Sequence, residues 1–399
     1  MHLNEVPSPL VDWMIEENNR MVEESRYFQA QRTAWTKTAS GDHFATMFAS
    51  RKFLELPVEQ QNYIRLIQPE SSYLPVEAQI PIYQGYLERA LVLSKTGFRS
   101  IAKYSIDNIA VIASPTNYRY AATYRPHAQP NWHVVVLDWS FLILLQNFAF
   151  ALASSMKTSA SEEALEFKLD PYFSIKNFIL DHGEQDHLRH ALIASALPNA
   201  LEPRPRVQEY DEYSFAHGAY FFSMLVHCAV AHEVAHTALG HHQNYRSMSR
   251  EDRHKVEREA DVFSLMHFFQ SPWQAYLDVD PYKPLFACAM YSAFLAIFDA
   301  VDSCERLAHN FQKTDFVDDF SHPSGGDRIQ ACAYAVENLL NFPQPEVKVE
   351  LLKNLDRMHN AVEDMWNLLL RQLAKDLEGI DPTSFESDYQ QARADLVFL

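Results

Sequence analysis

Apolar positions along the chain fall into short and long runs. The short runs are rich in β-branched residues: "NIAVIAS" at 108–114 and "WHVVVLDW" at 132–139 predict strands. "YRYAATYR" at 118–125 is a third candidate, and "PHAQPN" at 126–131 is the turn between them. A small antiparallel sheet, as a meander, is the expected arrangement. The long runs predict helices. One runs from about Ser140 to Met156, overlapping the end of "VVVLDWSFLILLQNFAFALA" at 134–153, and another is "PLFACAMYSAFLAIF" at 284–298. Residues 346–379 carry apolar positions at helical spacing and predict an amphipathic helix packed on a core. Residues 1–105 are expected to be mainly helical, as in "VDWMIEENNRMVEES" and "QGYLERALVLSKTGFRSIAKYS", with loop around Pro69 and Pro75.

The middle of the chain is punctuated more sharply. "SEEALEFKLDP" and "DHGEQDHLRH" are polar and predict connections around another helix. "LPNALEPRPRVQEYDEY" at 197–213 predicts a Pro-rich loop. A long helix follows, "SFAHGAYFFSMLVHCAVAHEVAHTALG", with Gly240 as its C-cap. Ser249 is placed to N-cap the next helix, "REDRHKVEREADVFSLMHFFQ". That helix has acids in its first turn and Pro272 just beyond its end. The pattern predicts an α+β, mainly α-helical fold. Its divisions are an N-terminal helical region at 1–105, a core at 106–340 and a C-terminal helical region at 341–399, or one compact unit.

Composition narrows the function classes. The 399 residues are 47% hydrophobic, enough for a sizeable core, and the formal net charge of −18 comes with no basic stripe. Nucleic acid is therefore not an expected partner. The apolar run at 134–153 holds Asp138, Gln146 and Asn147, and the one at 284–298 falls short of the about 20 residues a spanning helix needs. Stable membrane insertion is not expected. "MHLNEVPSPLVDW" lacks the basic start and apolar segment of a secretory signal. Cys228, Cys288, Cys304 and Cys332 form no CxxC pair, so a cytoplasmic, reducing setting with buried free thiols is expected.

The candidate chemistry lies in "AHEVAHTALGHH", 231–242. Residues four apart share a helix face, so His232 and His236 can offer two imidazoles to one metal. Glu233 sits at the edge of that face, where a carboxylate can serve as general base toward a zinc-activated water. The next helix carries "EREAD". Glu257 can complete a His-His-Glu set for one Zn2+, and Asp261, four residues on, can accept the outer N–H of a ligand histidine. A Gly-ended helix, a short turn and a capped helix would bring the HExxH and ExxxD faces together. His187 and His190 are a weaker pair for a second metal. His227 reads as structural, His254 as exposed, and His241 and His242 as lining a cleft or ending the helix. Nothing in the sequence ties Tyr282 or Tyr291 to the site.

"HEVAHTALGH", "EREAD" and "SHPSGGDRI" together resemble the gluzincin metallopeptidases, and among them the CAAX-prenyl-protease and HtpX-like family. His241 matches that family's further histidine, His322-Pro323 its HP, and Arg328-Ile329 its Arg-Ile. The resemblance covers roughly 220–330 and implies that His322 and Arg328 lie near the substrate and stabilise an oxyanion. Members of that family usually carry transmembrane helices, so a soluble relative is implied. A looser likeness, limited to the zinc motif and its setting, is to the phage-exclusion Lit-type peptidases, which are cytosolic. It implies a bacterial stress or phage-defence role. The expected function is zinc-dependent cleavage of a protein or peptide substrate. A catalytically idle zinc module and a membrane-associated prenyl-protein protease are the alternatives. Glu233 favours the enzyme, since a structural zinc needs no base.

Overall fold

In the computed structural model the described residues are 81–114, 121–125, 130–155, 178–179, 181–197, 212–241, 248–269, 283–312, 323–339 and 345–377. The chain enters through helix α1 (Pro81–Phe98), then strands β1 (Ile109–Ser114), β2 (Ala121–Tyr124) and β3 (His133–Asp138). Helices α2 (Trp139–Ser155), α3 (His182–Ala196), α4 (Glu212–Leu239) and α5 (Arg250–His267) follow. The last are α6 (Lys283–Gln312), α7 (Gly325–Asn338) and α8 (Pro345–Leu377). The expectations for "VDWMIEENNRMVEES", for "SEEALEFKLDP" and for Pro69, Pro75, Pro272, Tyr282 and His322 fall outside the described residues.

The sheet is mixed and its order is β1-β3-β2, which corrects the expected antiparallel meander. β2 pairs antiparallel with β3, as a hairpin does. β1 pairs with β3 in parallel, from Ile109 opposite His133 to Ser114 opposite Asp138. The reason lies in the residues. β3 reads "HVVVLD", with Val134, Val135 and Leu137 fully buried, so it takes the centre of the sheet. β2, "AATY", is the shortest strand and is half-buried at Ala121, Ala122 and Thr123, which suits an edge.

A second correction concerns "DHGEQDHLRH", which is the first half of α3 rather than a connection. Asp181 caps it by accepting the Glu184 N–H at 3.0 Å. The Asp-x-x-Glu spacing is the helix-start signal that the polar composition masked.

Helix α4 is the axis of the molecule. From Phe221 to Ala238 nearly every side chain is buried, on all faces. A helix apolar all round must be enclosed. It is packed on by α1, α2, α5, α6 and the β2–β3 hairpin. α2 is buried in the same way, except at Gln146 and Ser154. α8 lays Leu351, Leu355, Met358, Val362, Trp366, Leu369 and Leu373 on the core, with Trp366 stacked on Phe148 of α2. Its apolar stripe is thus a core face. No helix among the described residues is long and apolar enough to cross a membrane.

Between α4 and α5 lies a buried histidine pair. His267 Nδ1 donates to the Ser264 carbonyl at 2.7 Å, and its Nε2 meets His227 Nε2 at 3.0 Å. Phe98 stacks on the His267 ring, and a Cβ at Gly97 would collide with it, so glycine there lets α1 approach. Burial holds the His267 pKa down to about 4, and burial and His267 push His227 well below its usual value. Both pKa values are depressed on folding. The unfolded chain therefore binds the extra protons, and stability falls as pH drops from about 6.5 toward 4, by about 1.4 kcal/mol per pH unit per group. The melting temperature is expected to fall between pH 7 and pH 5, and more shallowly in His227→Leu/His267→Leu. Equal slopes would contradict the assignment.

Candidate metal centre

The turn that joins α4 to α5 builds the site. α4 stops at Leu239, and Gly240 adopts φ of 76°, the left-handed conformation that reverses the chain at a helix end. A Cβ at Gly240 would also strike the Tyr104 ring. The segment after α1 seals this end: the backbone N–H groups of Lys103 and Tyr104 both donate to the Ala238 carbonyl, at 3.0 and 3.1 Å. That explains why α1 ends at Phe98, short of the Ser105 suggested by the sequence pattern. Ser249 caps α5 by accepting the Asp252 N–H. The two helices then pack face to face, HExxH against ExxxD.

Three donor atoms converge on that interface. His232 Nε2 lies 3.1 Å from His236 Nε2 and 3.1 Å from Glu257 Oε2, while His236 Nε2 is 3.5 Å from Glu257 Oε1. Adjacent ligands of a tetrahedral zinc with bonds of about 2.0–2.1 Å sit about 3.3 Å apart. At this range the two nitrogens share either a single proton or a metal ion, and the Glu257 carboxylate beside both favours the ion. The set is two imidazoles and a carboxylate, borne by His232, His236 and Glu257, and it fits one Zn2+ per chain. The spacing and order of these residues match the gluzincin-type HExxH…E/D motif. No other such group occurs among the described residues. His187 is exposed on α3 and gains no third ligand there.

Around the donors stands a second ring of groups. His232 Nδ1 is 3.0 Å from Asp261 Oδ1, off the ideal hydrogen-bond line but close enough to fix the ring. Asp261 is completely buried, and Arg328 grips both its oxygens: Nε donates to Oδ2 and Nη2 to Oδ1, each at 2.7 Å. Tyr291 donates its hydroxyl to Asp261 Oδ1 at 3.1 Å. Burial pushes the Asp261 carboxyl up, but the Arg328 charge and hydrogen bonds outweigh it and hold the pKa at about 2. Burial likewise lowers His232, and the hydrogen bonds and charges of Asp261 and Glu257 more than reverse this, to about 9. A proton there is displaced when a metal takes the same lone pair.

Arg328 thus sits differently from the expectation that it faces the oxyanion. It is buried, committed to Asp261, and its guanidinium lies 5.0 Å from the centroid of the Phe298 ring. Its helix is anchored for this purpose. Ser324 caps α7, and Asp299 of α6 accepts the Gly325 N–H through both oxygens, at 2.7 and 2.9 Å. A Cβ at Gly325 would overlap that carboxylate.

Glu233 is buried beside the ligands. Thr123 of the edge strand β2 donates its hydroxyl to Glu233 Oε2 at 2.8 Å. The sequence offered no signal for Thr123, since it is 110 residues away and reaches Glu233 only through the sheet. His241 is also placed here, with Nδ1 3.0 Å from His236 Nδ1. Burial and the neighbouring His236 lower its pKa to about 3. His227 is structural, as expected, whereas His254 is half-buried rather than exposed. No family model matches the chain, and no curated protein or solved structure matches it.

Proposed function

We propose that this protein is a zinc-dependent endopeptidase in which Glu233 is the general base. The observation that carries the reading is the pairing of a three-donor zinc site with a buried carboxylate that is not needed to hold the ion. When bound, zinc supplies Lewis acidity, polarising a substrate carbonyl and lowering the pKa of water toward neutrality.

The remaining steps belong to the chain. Thr123 holds one Glu233 oxygen, so the carboxylate is oriented and the other oxygen is left to take the proton of the attacking water. Glu233 then returns that proton to the leaving amine. Asp261 keeps His232 in the tautomer that presents Nε2, and Arg328 acts as a positioning residue through Asp261. Of the two oxyanion candidates, Arg328 is buried with its Nε and Nη2 on Asp261, which favours His322 for that role. β2 lies along α4, and among the described residues its outer edge pairs with no strand. An extended polypeptide can align its own N–H and C=O groups on such an edge, which supports a peptide substrate. Buried thiols at Cys228, Cys304 and Cys332, none of them in a disulfide, support a cytoplasmic setting.

Metal removal tests the reading. Zinc-loaded protein incubated with a proteome-derived peptide library should produce new termini that mass spectrometry can map. A chelator should abolish them, and added zinc should restore them. Cleavage that persists without metal, or no cleavage by zinc-loaded protein, would count against it.

A further inference from the structure

His236 is the most exposed of the three donors, 12% in its side chain, and lies in the last turn of α4. His232 has a carboxylate, Asp261, at its outer nitrogen. At the outer nitrogen of His236 stands another imidazole. His236 Nδ1 and His241 Nδ1 are 3.0 Å apart, with the rings crossed at 71° rather than stacked. The far nitrogen of His241, Nε2, is 3.3 Å from Glu259 Oε2 on α5.

These contacts admit one order of hydrogens once His236 is a ligand. A coordinating Nε2 needs its lone pair, so the His236 proton sits on Nδ1. That N–H donates to His241 Nδ1, which must then accept. The His241 proton is left on Nε2, where it donates to the Glu259 carboxylate. Each hydrogen points from the metal side outward, with no conflict along the string. His241 is itself largely buried, with these two contacts at its ring nitrogens. It reaches this place because the left-handed turn at Gly240 tips the next residue back over the end of α4. Its Nδ1 faces the outer nitrogen of His236, away from the three converging donor atoms, so it is not a fourth ligand.

We propose that His241, braced by Glu259, is the positioning residue for the ligand His236, so that the cap of the HExxH helix is part of the metal site. The inference rests on the reading of His232, His236 and Glu257 as zinc ligands. It assigns the string Glu259–His241–His236 the task that Asp261 performs for His232.

Zinc affinity, measured by competition with a chromogenic chelator, tests this without any substrate. His241→Ala should weaken binding about 10- to 100-fold, the usual loss when such an outer partner is removed. His241→Asn places an amide oxygen near the position of Nδ1 and should recover most of that loss. Glu259→Gln should cost only a few-fold, because Glu259 is 47% exposed. Melting of the zinc-stripped variants separates a folding defect from a metal effect. Unchanged affinity in His241→Ala would overturn the inference while leaving the metal site standing. Equal losses in the Ala and Asn variants, with a lowered melting temperature, would overturn it as well. Wild-type protein that takes up no zinc would instead overturn the metal site, and the inference with it.

Discussion

Glu233→Gln is expected to retain about one zinc per chain and to lose peptide hydrolysis by roughly 10²–10⁴-fold. The substitution changes almost nothing in shape. The Thr123 hydroxyl, 2.8 Å from Glu233 Oε2, can still donate to an amide oxygen in the same place, though more weakly than to a carboxylate. The ligands His232, His236 and Glu257 are untouched. What is lost is a group able to take a proton from water and pass it to the leaving amine. An amide cannot do either near neutral pH. Elemental analysis and cleavage rate should therefore separate. Hydrolysis at the wild-type rate would remove Glu233 from the mechanism, and joint loss of metal and activity would make it a structural group.

Arg328→Leu is expected to destabilise the fold by about 3–5 kcal/mol, the typical cost of removing one partner of a buried ion pair. Arg328 and Asp261 are both buried and joined through two charge-assisted hydrogen bonds. Without the guanidinium, Asp261 keeps only the Tyr291 hydroxyl and the His232 edge. Its pKa should rise from about 2, and its hold on His232 should slacken. Arg328→Lys should not rescue, because one ammonium cannot reproduce the two parallel bonds. Asp261→Leu/Arg328→Leu, which removes both charges, should recover much of the stability but not the zinc affinity. Urea unfolding of the zinc-stripped proteins reads the first effect and chelator competition the second. A loss below about 1 kcal/mol in Arg328→Leu would show the pair to be incidental.

The metal donors were legible in the sequence because helical periodicity makes them so. His232 and His236, and separately Glu257 and Asp261, lie four apart, and Gly240 and Ser249 punctuate the turn between the two helices. Local rules carry that far. They fail where a contact depends on tertiary placement. Arg328 carries a motif that points toward substrate, yet its partner is a carboxylate 67 residues earlier. Thr123 reaches Glu233 only because β2 lies at the edge of the sheet. The strand order escaped the sequence for a related reason. An unbroken apolar run such as "HVVVLD" marks a strand buried on both sides, but does not say which neighbours flank it. His241 was visible as a histidine near a helix end. Its role depends on the backbone reversal at Gly240, which a sequence shows only as a cap.

The central claim is that His232, His236 and Glu257 hold one zinc ion, and metal content tests it most directly. Elemental mass spectrometry on wild-type protein and His236→Ala, prepared side by side, should find about one zinc per chain in the first and little in the second. Wild-type protein that carries no zinc, and takes up none when zinc is added, would contradict the account.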